Sequence, residues 1–175
     1  MREAELQTER RQARTQERER LNREMHDGLG RSLHGALLAW RNRWEDRLLA
    51  VGIALEWQLD PALEAVELGS DTTLQIMRIL QEATTNVVKH AGASLLQVNA
   101  SLAHDNLVLQ ISDNGCGLPP VLDCATSAGK GRGLRNMRQR CEQFGGTLQV
   151  EPLRPPQTGT SVRLTLAIGG LQPAE

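Results

Sequence analysis

Asp113 ends an alternating apolar run, Leu107, Leu109 and Ile111, and opens the turn Asn114-Gly115-Cys116-Gly117. A strand that empties into such a turn sets one carboxylate at its mouth. Gly115 and Gly117 permit backbone conformations closed to other residues and let a ligand come close. The same residues also suit an ordinary hairpin turn. A second glycine cluster, Gly129, Gly131 and Gly133, precedes a helical pattern and alternates with Lys130 and Arg132. Backbone amides there, with the dipole of the helix behind them, favour phosphate oxygens. The dinucleotide fingerprint fails because these glycines follow a loop, and the Walker pattern of Lys then Ser or Thr is absent. Glu82, Asn86 and Lys89 share one line of another predicted helix. If Asn86 faces the glycine loop, its amide oxygen suits Mg²⁺ that bridges to nucleotide phosphates. Asp113 would accept the exocyclic amine of adenine and reject guanine, which offers a carbonyl there. His26 brings an imidazole of ordinary pKa about 6.5, whose free lone pair at pH 7 can attack phosphorus.

These residues need elements to hold them. Residues 2–24 alternate acid and base, with Glu19 and Arg23 in the favourable helical pairing order. From Leu21 an apolar stripe runs every four residues through Met25, Leu29, Leu33 and Leu37, and such a face demands a helical partner. His26 lies about 100° around the helix from that stripe, towards water. Trp40 and Trp44, one turn apart, read as packing. Residues 53–59 alternate as a strand, and Asp60-Pro61 ends it. A helix is predicted over residues 73–90, capped by Asp71 or Thr72, with Ile76, Leu80, Ala83 and Val87 inside. Strands over 96–102 and 107–111 flank a His104-Asp105-Asn106 turn. Residues 121–130 read as a lid. The next helix buries Leu134, Met137, Cys141 and Phe144 and stops at Gly145. Strands over 147–150 and 161–168 follow, then a loose tail.

With 175 residues, 39% hydrophobic, 23% charged and a formal net charge of -1, the chain reads as globular, of one or two domains. Aromatic residues make up only 2%, so the core is aliphatic and base stacking is excluded; no nucleic-acid partner is expected. Cys116, Cys124 and Cys141 form no metal-ligand spacing and no even disulfide set. No apolar run is long enough for a signal core or a bilayer span, so no membrane contact and a cytoplasmic location are expected.

Four stretches, QEATTNVVKHAGA, DNGCGLPP, GKGRGLRNMRQR and GTSVRLTL, resemble the asparagine and glycine boxes of the histidine-kinase type ATP-binding domain. REMHDGLG resembles the phosphoacceptor box of the nitrate-sensor-like subfamily of sensor histidine kinases of two-component systems. The resemblance covers residues 17–168. It implies an α/β fold: a two-layer sandwich of the Bergerat type with a mixed sheet, preceded by a long N-terminal helix. Residues 1–48 would be the dimerisation and phosphoacceptor region, 49–170 the ATP-binding domain and 171–175 a tail. It further implies that His26 is phosphorylated with Asp27 assisting, that Glu82 is the nearby carboxylate, and that Asn86 holds Mg²⁺. Lys89 and His90 would meet phosphate and Asp113 adenine. Gly115, Gly117, Lys130, Gly131, Arg132, Gly133 and Leu134 would form the ATP pocket, with Thr160 supporting the base. ATP and Mg²⁺ are the implied cofactors, and the partners are a response regulator receiver domain and a second copy of the chain. Most of the second dimerisation helix is missing, and Arg31 stands where the subfamily often carries the glutamine that serves phosphatase activity. The expected activity is autophosphorylation of His26 and transfer to a regulator aspartate. The alternatives are an ATP-binding interaction module, or an ATPase or Ser/Thr kinase on the same fold.

Overall fold

The computed structural model describes residues 32–117 and 130–169. His26, Asp27, Arg31, Cys124, the stripe positions Leu21, Met25 and Leu29, Gly129 and residues 121–129 of the expected lid lie outside them, as does the tail. Ser32 sits at extended dihedrals (φ -91°, ψ 117°), and its hydroxyl accepts from Gly35 N at 3.3 Å. That is a serine's preferred role at a helix start, and it opens α1 (Leu33–Ala50). The stripe expected to continue as one helical face through Leu37 is therefore interrupted at Ser32. Its last members are not left for a partner helix, because Leu33, Ala36, Leu37 and Trp40 enter this chain's own core. There α1 packs on β1 (Ala54–Leu59), on the 3-10 helix Pro61–Ala65 and on α2 (Ser70–Asn86). Trp40 stacks between Trp44 and Trp57, with ring centroids 6.1 and 5.5 Å away.

The predicted faces of α2 are present: Ile76, Leu80, Ala83 and Val87 are buried. Its start differs from expectation, since Gly69 is the cap residue and no side chain caps the helix. Asp71 instead falls in the first turn, where its charge complements the helix dipole. Its end differs too. The α-helix stops at Asn86 and continues as a π-helical turn, Val87–Ala91, closed by Gly92 in the left-handed region. Such wide turns insert one residue into the hydrogen-bond ladder and recur at functional sites.

A five-stranded sheet backs these helices in the order β1-β2-β3-β5-β4. It is formed with β2 (Leu95–Ala103), β3 (Asn106–Asp113), β4 (Thr147–Pro152) and β5 (Thr160–Ala167). β1 and β2 are parallel, joined through α2 as a parallel pair requires. The other pairings are antiparallel, so the sheet is mixed. Register sets Val98, Ile111 and Val162 in one row and Ala100, Leu109 and Leu164 in the next, all buried. Because side chains alternate along a strand, the opposite face carries Glu56, Gln97, Gln110 and Arg163. They pair across strands, Gln97 Nε2 to Glu56 Oε2 at 2.6 Å and Arg163 Nη2 to Gln110 Oε1 at 2.9 Å. This is the two-layer α/β sandwich with a mixed sheet. The last helix, α3 (Lys130–Gln143), packs against α2 and β4, with Met137 and Cys141 buried. It ends at Gly145 (φ +76°), where Gly146 N donates back to Cys141 O at 3.0 Å. A glycine is favoured there because a Cβ opposes that backbone conformation.

Candidate nucleotide-binding site

The end of β3, the end of α2 with its π turn, the start of α3 and the start of β5 meet around a cavity of about 320 Å³. Ile111 and Val162, neighbours in register, give it an apolar floor. Asp113 lies at the strand end, 6% exposed, and Gly115 N donates to its Oδ1 at 2.8 Å. Burial pushes this carboxyl above the ordinary 3.8, while backbone donors of Gly115 and Thr160 pull it part of the way back. A carboxylate offers about four acceptor positions, so two backbone donors leave it free to accept from a ligand.

The turn after Asp113 is held by the Asn114 side chain and by close backbone contacts. Asn114 Oδ1 accepts from Ser94 N and Leu95 N, both at 2.9 Å, which ties β3 to the start of β2. Cys116 N donates to Ala91 O at 2.8 Å. A Cβ on Gly115 would overlap Ala91 O, and one on Gly159 would overlap Asp113 O. Both contacts demand glycine for space. Gly117 (φ +77°) lies against Gly159, its would-be Cβ 3.2 Å from Gly159 O.

Among the residues singled out in the sequence, Asn86, His90, Asp113, Gly117, Leu134 and Thr160 line the cavity. Gly115 supports its wall through Ala91. Glu82 and Asn86 stand one turn apart where α2 meets α3: Glu82 Oε1 lies 2.7 Å, and Asn86 Nδ2 3.6 Å, from where a Gly133 Cβ would be. Gly133 is thus a helix–helix contact. Gly131 and Gly133 lie inside the first turns of α3, not in a loop leading to it; at Gly133 the contact with α2 outweighs glycine's poor helix propensity. Lys130 and Gly131 begin that helix. Lys89 and Arg132 are exposed, Lys89 on the π turn outside the cavity lining and Arg132 in the first turn of α3. Sequence reasoning missed Gly159, Cys116, Met137 and the apolar floor as parts of the site. The alternation of 107–111 and of 161–168 carried the signal for the floor, whereas Gly159 was present in the quoted stretch GTSVRLTL but given no role. Among the described residues no cluster of His, Cys, Asp and Glu could hold a metal ion, and no helix is long and apolar enough to cross a membrane.

The sequence profile described as histidine kinase-, DNA gyrase B- and HSP90-like ATPase matches residues 71–169. The chain is 35% identical over 96 residues to the signal transduction histidine-protein kinase/phosphatase UhpB of Salmonella typhimurium, covering 55% of this chain and 17% of that protein. It is 34% identical over 108 residues to the nitrate/nitrite sensor protein NarQ of Escherichia coli, covering 61% of this chain and 18% of that protein. The aligned part is thus less than a fifth of either relative. Among solved structures, the histidine kinase domain of the Erythrobacter litoralis EL346 blue-light activated histidine kinase has the same fold, with a TM-score of 0.57 at 23% identity. That match covers 75% of this chain and 60% of the other.

Proposed function

This chain belongs to the histidine kinase-, DNA gyrase B- and HSP90-like ATPase family, and from that premise we propose that it is the core of a two-component sensor kinase. In this reading it binds MgATP in the cavity between α2 and α3, phosphorylates His26 and passes the phosphoryl group to an aspartate of a response regulator. The carrying observation is the convergence of Asp113, Asn86, His90, Gly117 and Thr160 on one cavity with an apolar floor. Asp113 accepts the adenine amine, and the apolar floor takes the face of the base. Asn86 brings a hard amide oxygen that would hold Mg²⁺, and Glu82, one helical turn away, is the nearby carboxylate. The metal would supply neutralisation of phosphate charge. Lys89, His90, Lys130 and Arg132 add positive or hydrogen-bonding groups on the phosphate side. The neutral imidazole of His26 attacks the γ-phosphorus in line; the new P–N bond replaces the P–O bond to the β-phosphate, and ADP leaves. Asp27 fixes the tautomer or takes the proton. In this reading the chain works in the cytoplasm and pairs with a second copy through its N-terminal region.

One observation favours a second reading. Leu33 and Leu37 are consumed by the chain's own core, so the seam available for a helical partner is shorter than the stripe suggests. That suits an ATP-binding interaction module that transfers no phosphate. Incubation with γ-labelled ATP and Mg²⁺ separates the two: acid-labile, alkali-stable label that His26→Gln abolishes supports the kinase. ATP binding without label supports the module.

A further inference from the structure

The sheet has two edges, β1 and β4, and they are finished differently. On β4, Leu153 N donates to Gly159 O at 3.0 Å, so by alternation Leu148, Val150 and Pro152 aim their backbone groups away from β5. Pro152 has no N–H to offer there, and Pro155 and Pro156 follow; proline is a common way to close an edge. On β1, Ala54 N donates to Ser94 O at 2.8 Å and Asp60 N to Ala100 O at 2.9 Å. Leu55, Trp57 and Leu59 therefore turn their N–H and C=O groups away from β2. This edge carries no proline, no lysine and no bulge. Among the described residues the isolated bridge, Ser32 with Glu67, does not involve it. Apolar surface gathers beside it as well: Leu49 and Val51, which lead into the strand, are 69% and 58% exposed, more than any other large hydrophobic side chain among the described residues.

We propose that β1 is a docking edge for a second copy of the chain, the two β1 strands pairing antiparallel about a two-fold axis through Trp57 so that two sheets become one. The strand is complementary to itself in this register. With Trp57 opposite its own copy, Leu55 faces the partner's Leu59, and every outward residue meets an outward residue. On the solvent face Glu56 stands opposite the partner's Gln58. Glu56 Oε2 is held by Gln97 Nε2, and its other oxygen accepts from that amide. An axis through Glu56 would set two carboxylates face to face, and one through Gln58 would set Glu56 against the partner's Asp60; like charges directly opposite are unfavourable. An axis through Leu55 or Leu59 runs an outward residue past the end of the partner's strand. The antiparallel run also carries Val51 towards the partner's Pro61 and Ala62, exposed residues just beyond its β1. Such a contact uses the same patch on both copies and closes on itself. No residue lining the nucleotide cavity belongs to β1, so this seam stands apart from the ATP-binding reading and from any pairing through the N-terminal region.

The test uses the whole chain with Cys116→Ser and Cys124→Ser, carrying Glu56→Cys in one preparation and Gln58→Cys in another. Both positions are exposed, so neither change disturbs the core. Directly opposite residues of this kind have Cα atoms about 4.5 Å apart, within disulfide reach. Mild oxidation of the two preparations mixed should give a disulfide-linked dimer, joined 56 to 58 by peptide mass mapping. It should form at least about tenfold faster than in either preparation alone, where like cysteines sit on a diagonal beyond disulfide reach. Gln149→Cys, on the far edge strand β4, mixed with Gln58→Cys should link no faster than those single preparations. A mixture that yields no 56–58 link, or one that forms as fast in a single preparation or with Gln149→Cys, overturns the proposal. A β1 edge that takes a strand from another protein, and not from its own copy, gives the first of these results.

Discussion

The flank where α1 meets β1 and the cleft where α2 meets α3 are built on opposite principles. On the flank, large side chains fill space: Leu33, Leu37, Trp40 and Leu48 are all at most 5% exposed. Ion pairs there, His34 with Glu64 and Arg41 with Glu45, are peripheral to that packing. In the cleft, side chains are removed so that backbones can touch, at Gly115 on Ala91 and Gly159 on Asp113, and a carboxylate is buried. The flank stabilises through volume, which tolerates exchange among apolar residues. The cleft spends stability on shape and on a charge kept out of water. Mutations should therefore separate folding from nucleotide binding, according to which region they strike.

The largest effect is expected on the flank. Leu37→Ala leaves a void and should cost about 2–5 kcal/mol in urea unfolding, while the protein that remains folded binds ATP as before; a matching loss of affinity would break the division. Gly159→Ala strikes the cleft and forces the Asp113 backbone to move. We expect a stability loss of about 1–3 kcal/mol together with loss of ATP binding, and unchanged binding by calorimetry would refute the backbone contact. Asp113→Asn should weaken ATP by about tenfold to a hundredfold, yet leave the melting temperature equal or higher, because a buried charge has been removed. The pH dependence sharpens this. A carboxyl whose folded pKa is raised contributes stability that is fully present below 3.8, the ordinary value, and is lost as pH rises through the raised folded value. The urea midpoint of the native chain, measured relative to Asp113→Asn, should thus improve as pH falls from neutral through that window; the opposite slope would sink the assignment. The smallest effect belongs to the join between helices. Arg140 Nη1 donates to Gln75 Oε1 at 3.0 Å, and Gln75→Ala should cost about 0.5–1.5 kcal/mol by urea unfolding.

The two regions were also unequally legible in the sequence. Periodicity finds a buried face but not what buries it. The alternation of Leu107, Leu109 and Ile111 and the helical spacing of Ile76, Leu80, Ala83 and Val87 identified their elements directly. Leu33 and Leu37, read by the same rule, were assigned to a helical partner because nothing local reveals that β1 and α2 cover them. Ser32 was passed over as a helix cap because the stripe runs through it. In the cleft, the residue types Asp113 and Asn86 were readable as chemistry, while Thr160 came only from the family resemblance. The need for Gly159 was not, since it comes from a carbonyl of distant residue Asp113. Gly131 and Gly133 were read as loop from propensity, whereas both lie in α3, and for Gly133 this follows from how closely α2 approaches.

The aromatic inventory has an optical consequence. The chain has three tryptophans and no tyrosine, and Trp40, Trp44 and Trp57 all stand in one stack on the flank. None lines the cavity. Emission excited at the indole band therefore reports on a single locus, the seating of α1 on β1. The Trp40–Trp57 pair, 5.5 Å apart with planes inclined by 16°, is close enough for its transitions to couple and mark circular dichroism. These signals track whether the flank is assembled and are blind to what fills the cleft.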